Sequence, residues 1–297
     1  MVQFFNALIN PHMPFMRYAL IAGILSSAAF GIVGTYVIVR RISYIAGAIA
    51  HSVLGGIGVG LYLQNKVGIV WFSPMLGAVI AALLSAVIIG CVSLYGRQRE
   101  DTVIGAIWAI GMATGLLFLS KTPGYADPMS YLFGNILLIS RSDLFLVAGL
   151  DFTIIFLGVL FYNKFLAVCF DSEFARLRGI RVGFYYLLLL GLTAITVVLM
   201  VRIVGIVLVI ALLTLPAAIA GMFSRYLWQM MLFSTLLCMV FTTTGLGFSY
   251  IYDLPTGSNI ILIAGAVYII SVALGSLLKH RKTRIFAAHY RKSTGNP

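Results

Sequence analysis

Apolar stretches of about 20 residues recur along almost the whole chain, separated by short breaks that hold most of its charges. Each is long enough to cross the hydrocarbon layer of a bilayer as a helix. There a helix is favoured because it satisfies its own backbone hydrogen bonds. Only 9% of residues are charged and 61% are hydrophobic, whereas soluble domains carry roughly 25% charged residues. The expected fold is therefore all-α: a polytopic membrane helical bundle of 8–9 spans, forming a single transmembrane domain over residues 1–297. No break is long or polar enough to fold separately.

Apolar runs between charged or turn-rich breaks predict spans at 17–39, 42–63, 71–95, 102–120, 143–162, 183–201, 203–223, 227–249 and 260–278. With the N-terminus outside, Arg40, Arg41, Arg97, Arg99, Lys164, Arg176, Arg178, Arg181, Arg225 and the basic tail 279–297 fall inside. Only Arg17, Lys66, Lys121, Arg141 and Arg202 remain outside. Cytoplasmic loops favour Lys and Arg, so this orientation is preferred. The pair of spans around Arg202 can also be read as one broken helix. The net charge of +12 follows this topology pattern and forms no groove-sized basic patch, so no nucleic-acid partner is expected. The N-terminus lacks the cationic region and cleavage site of a signal peptide and is expected to be retained. Cys91, Cys169 and Cys238 lie at no metal-ligand spacing and offer no disulfide framework.

Two breaks are not simple turns. "PGYADPMSYLFGNILLIS", between Pro123 and Arg141, is too long for a turn and too rich in Gly and Pro for a span. A re-entrant or interfacial segment sheltered by protein suits it. The segment 164–182, "KFLAVCFDSEFARLRGIRV", reads as a short amphipathic helix on the cytoplasmic side. Asp171 or Ser172 can cap its start, Glu173 and the arginines follow the helix dipole, and Gly179 is placed for a left-handed end. Phe174 and Leu177 would share one face. An interfacial helix on anionic lipid and a docking helix for a cytosolic protein both fit. Apolar anchors ringed by both signs of charge favour the protein partner.

In "SYIAGAIAHSVLGGIGVG", Gly47, His51 and Gly55 form one column on a helix; Ala48, Ser52, Gly56 and Gly60 form a second. Small columns let helices approach closely, and glycines above and below His51 are expected to leave its imidazole facing a helix-lined cavity. An ionisable group inside a membrane is costly and a functional candidate, and neutral imidazole is the commonest metal ligand. The bland reading is a histidine that bonds a backbone carbonyl and packs two helices. Asp151, in "LVAGLDFTIIFLG", can complete a site with His51 or pair with Arg202 or Arg141. The chain has no phosphate-binding G-x-x-x-x-G-K-[ST] and no H-E-x-x-H, so ATP hydrolysis and metal-assisted hydrolysis are not expected of it.

The basic end of the first span is followed in order by the histidine stretch, "REDTVIGAIWAIGMATGL", "DPMSYLFGNIL", "FDSEFARLRGI", "VRIVGIVLVIALLTLPAAIA" and "YDLPTGSNIIL". This ordered set resembles the permeases of metal-importing ABC transporters, the ABC-3 class serving zinc, manganese and iron(II). The resemblance covers most of the chain. It implies a bacterial plasma-membrane permease that pairs with a second copy or paralogue to form a pore. It also implies a cytoplasmic ABC ATPase and an extracytoplasmic metal-binding protein as partners.

Under that resemblance Asp171, Glu173, Phe174, Ala175, Leu177, Arg178 and Gly179 belong to the ATPase-coupling segment, and His51 falls on the family's pore histidine. Gly47, Gly55, Gly56 and Gly60 serve pore-helix packing. The divalent metal ion is cargo, with no permanently bound cofactor. Many members have an aspartate four residues before the histidine. Here that residue is Gly47, so Asp151 supplies the second ligand or the histidine acts alone. The competing reading is an ion-coupled secondary metal transporter with Asp151 and His51 as a proton relay.

Overall fold

The computed structural model describes residue 4 and residues 14–96, 99–123, 128–134 and 140–294. Among them all regular structure is helical: α1 (Pro14–Val39), α2 (Ser43–Tyr62), α3 (Pro74–Tyr95), α4 (Glu100–Lys121), α5 (Pro128–Phe133), α6 (Arg141–Leu160), α7 (Tyr162–Phe170), α8 (Ser172–Leu177), α9 (Val182–Val204), α10 (Ile206–Phe223), α11 (Leu227–Tyr252) and α12 (Thr256–Thr294). Nine helices among the described residues are long and apolar enough to cross a membrane. They match the nine expected spans, with ends displaced by a few residues.

Local chemistry fixes several of these ends. Ser73 caps α3 by accepting from the Leu76 N–H, with Pro74 in the first turn, where its missing N–H costs nothing. Ser140 and Asp143 form a reciprocal capping box at the start of α6. After α2 the chain makes one wide π turn over Leu63–Val67 and stops at Gly68, whose φ of 84° suits only glycine well.

The expected span 143–162 stops earlier, at Leu160; the chain bends at Phe161 and begins α7. Tyr36 of α1 holds this corner. Its hydroxyl donates to the Gly158 carbonyl at 3.1 Å and its ring meets Phe165 edge-on at 5.1 Å. The question around Arg202 has a clear outcome. The α9 helix ends at Val204 and α10 begins at Ile206, so Gly205 is the sole connecting residue. Its φ is 83°, and any Cβ there would collide with the Gly134 amide just after α5. Gly257 at the start of α12 closes on the same spot, where a Cβ would lie 2.5 Å from the Phe133 carbonyl oxygen. Of the insertion expected between Pro123 and Arg141, Leu132 to Gly134 thus pack on the α9–α10 junction and the start of α12, while 124–127 and 135–139 lie outside the described residues. Arg202 lies on α9 with its side chain outside the described ones.

Two groups of helices share the core. In one, α2 packs on α4, α3 and α9; in the other, α1 packs on α11, α10 and α6. Helix α10 touches both groups and α12. Helices α3, α4, α6 and α12 bury only part of their surface, leaving apolar side chains such as Leu84, Val87, Phe152 and Leu262 outward. Without water outside, such faces need lipid or another membrane subunit. At one end of the bundle, Arg40 lies over the Tyr186 ring at 5.5 Å, and the Tyr186 hydroxyl bonds Ser93 at 3.2 Å. This end also carries α7 and α8. Helix α12, at about 1.5 Å per residue, is far longer than a bilayer core, so the basic tail 279–297 continues the last span as helix through Thr294.

Candidate functional site

The small-residue columns of α2 meet two neighbours, and Ser52 of the second column packs on Gly111 of α4. Gly56 meets Gly77 of α3 backbone to backbone, and a Cβ at Gly60 would lie 2.7 Å from the Pro74 Cα. The column holding His51 faces α4. A Cβ at Gly55 would lie 2.8 Å from the Gly111 carbonyl oxygen and 2.8 Å from Thr114 Oγ1. A Cβ at Gly47 would lie 3.0 Å from Trp108 Cζ3. Absence of side chains thus brings α2 and α4 into backbone contact, the geometry that drives helix association where no hydrophobic effect operates.

His51 is 8% exposed and sits in this seam. Its imidazole stacks on the Trp108 indole, with ring centres 4.3 Å apart and planes 19° apart. The space expected to be open beside the imidazole is filled by that indole. The backbone-carbonyl alternative is also absent: Nδ1 is buried and has no hydrogen-bond partner among the described residues. The ring is therefore held by packing. Trp108 carried no signal in the sequence, since its role depends on which helix packs against α2.

Asp151 is 3% exposed, and neither carboxylate oxygen has a hydrogen-bond partner among the described residues. Its helix, α6, packs chiefly on α1, not on α2. The Tyr18–Arg141 and Tyr36–Gly158 contacts, 123 and 122 residues apart in sequence, place Asp151 level with residues 28–29 of the parallel α1. The structure therefore seats His51 and Asp151 on helices with different principal neighbours. The Arg141 guanidinium Nε donates to the Tyr18 hydroxyl at 2.6 Å and does not serve Asp151. Among the described residues no three His, Cys, Asp or Glu side chains gather as a metal cluster. His12 lies outside the described residues, as do the side chains of His280 and His289.

The second candidate region is the segment 164–182. Asp171 caps α8, its carboxylate accepting from the N–H groups of Glu173 at 3.0 Å and Phe174 at 2.9 Å. The helix ends in a Schellman motif: Gly179, at φ 74°, donates to the Arg176 carbonyl and Ile180 donates to that of Ala175. Ala175 is fully buried and anchors α8 to the bundle, while Phe174 is 49% and Leu177 87% exposed. Arg178 lies over the Phe174 ring at 4.8 Å. Glu173 and Arg176 complete a rim of mixed charge around the two apolar side chains. Beside α8 a cavity of about 350 Å³ is lined by Lys164, Gly179, Ile180, Arg181, Phe184 and Tyr185.

Comparison with known proteins agrees over nearly the whole chain. Residues 12–275 match the ABC 3 transport family. An uncharacterized membrane protein of Synechocystis is 44% identical over 260 residues, covering 87% of this chain and 90% of its own length. A protein of Halalkalibacterium halodurans named manganese transport system membrane protein MntC is 32% identical, covering 89% and 88% of the two chains. Among solved structures, a chain of PsaBC from Streptococcus pneumoniae in complex with Fab superposes with a TM-score of 0.80 at 30% identity, covering 91% of this chain and 94% of its own. The chain belongs to the ABC 3 transport family and is a membrane-spanning permease subunit, not an enzyme.

Proposed function

We propose that this chain is the permease of an importer for a divalent transition metal ion, zinc, manganese or iron(II), in a bacterial inner membrane. The observation that carries the reading is His51: a buried, unbonded imidazole midway along a small-residue helix seam. A polar nitrogen left without a partner in such a place is costly unless a ligand repays it at some point of the working cycle. A relative named for manganese transport supports the same cargo class.

A single neutral imidazole suits transit better than storage. Conduction needs an ion to be held well enough to enter and loosely enough to leave, and one nitrogen ligand among waters meets that need. An extracytoplasmic binding protein would deliver the ion, and a cytoplasmic ATPase would supply the work. A second permease copy or paralogue would complete the path along an outward apolar face. Leu177 and Phe174 on α8 would seat in a groove of the ATPase, with the charged rim setting orientation. The Schellman end and the buried Ala175 tie α8 to α9, so a push on α8 reaches the spans.

Reconstitution with a candidate ATPase and binding protein tests the reading through ATP-dependent, vanadate-sensitive uptake of Zn²⁺, Mn²⁺ and Fe²⁺ into proteoliposomes. His51→Ala should assemble normally and lose uptake or change its ion preference. Native uptake and preference in that variant would remove His51 from the path. Uptake that needs no nucleotide would favour an ion-coupled carrier.

A further inference from the structure

Among the described residues the imidazole of His51 has no hydrogen-bond partner, so none of them fixes its plane. A metal-binding histidine is ordinarily oriented by an acceptor on its second nitrogen. Among the described residues the only ring contact is the face of Trp108, 4.3 Å away and 19° from parallel. Ring nitrogens present their lone pair or proton in the ring plane. A stacked indole therefore fixes that plane without covering either nitrogen, and the contact strengthens when the imidazole gains positive charge by binding a cation.

The same indole controls what else can reach the ion. One turn before His51, on its face, the position is Gly47, and a Cβ there would already press on Trp108 Cζ3 at 3.0 Å. One turn after it, Gly55 is closed by Gly111 and Thr114. At the two positions of α2 that flank the imidazole, a side chain could enter only if Trp108, or Gly111 and Thr114, gave way. The imidazole is thus kept free of carboxylates from its own helix, and a nitrogen ligand without carboxylates suits borderline ions better than hard, oxygen-seeking ones.

We propose that Trp108 is the positioning residue of His51, and that with Gly47 it biases the ion path toward zinc over manganese. The inference rests on the permease reading above. It is tested in the complete reconstituted transporter, with the binding protein held constant, by measuring KM and uptake of Zn²⁺ and Mn²⁺. Trp108→Leu keeps the position apolar and removes the ring; it should raise the KM for Zn²⁺ about tenfold while recovering a native amount of assembled complex. Trp108→Phe should restore the KM, because a ring returns to the face of His51. The double variant Gly47→Asp/Trp108→Ala makes room for a carboxylate beside the imidazole and should lower the Zn²⁺-to-Mn²⁺ uptake ratio about tenfold.

An unaltered KM in Trp108→Leu, or a Phe variant no better than Leu, overturns the positioning role. An unaltered ion ratio in the double variant overturns the selectivity role, and that variant decides alone if Trp108→Leu fails to assemble. Native transporter that takes up neither ion with ATP would sink the permease reading itself, an outcome distinct from variants that transport with native KM and ratio.

Discussion

The Cys238 thiol of α11 donates to the Leu212 carbonyl of α10 at 3.6 Å. Leu212 lies four residues before Pro216, which has no N–H, so its carbonyl lacks the usual helical donor. The thiol stands in for the missing amide and joins two spans at a buried point. Replacement by Val should cost about 1 kcal/mol by leaving that carbonyl unsatisfied. Replacement by Ser, which keeps a donor, should cost less. Thermal unfolding of the purified permease in detergent checks the order, and equal loss in both variants would mean that packing alone decides.

At α8, the exposed pair Phe174 and Leu177 should dominate recognition of the ATPase, because apolar anchors carry more binding energy than rim charges. Leu177→Asp is expected to abolish co-purification of the ATPase with the permease fold intact. Reversing charge at both Glu173 and Arg178 should weaken co-purification to a smaller extent. Retained ATPase in Leu177→Asp would show that α8 does not dock it.

The turn after α8 makes a backbone prediction. Gly179 has a φ of 74° with open space around its Cα, so Gly179→Ala meets no clash and loses only conformational ease. The expected cost is roughly 1 kcal/mol, spent on fraying α8. Transport should fall through weaker coupling, read as a lower ATP-driven rate at an unchanged KM for the ion. A changed KM would place the effect elsewhere.

For Asp151 the structure favours a simple outcome. Both oxygens are buried and unbonded against α1, away from the principal neighbours of His51. Removing a buried carboxylate that has no partner should not destabilise the bundle. Asp151→Asn is therefore expected to match or exceed native thermal stability and to keep the native KM for the ion. A raised KM would return Asp151 to the ion path, supplied by the assembled dimer and not by one chain.

What could be read from the sequence was whatever a short window decides. Span length and apolarity are local, so the nine crossings were legible, and so were a cap at Asp171 or Ser172, of which Asp171 serves, and the left-handed Gly179 that bounds α8. The sequence could not say which helix lies against which. Glycines around His51 announce a close neighbour as readily as an empty space, and only packing tells that Trp108 is the neighbour. Likewise Asp151 was a plausible companion for His51 by depth alone, but depth does not set lateral position. The bend at Phe161 was missed because hydropathy continues across it; the Tyr36 contacts that hold it come from the first span.

Between α9 and α10 there is a single residue, Gly205, with the backbones of Gly134 and Gly257 pressed into the same corner. No side chain lies between these strands of main chain to deform first. A swing imposed on α9 from the α8 end thus cannot be absorbed at its far tip. It must carry α5, α10 and α12 with it, as a door leaf moves its hinge post when the pin has no play.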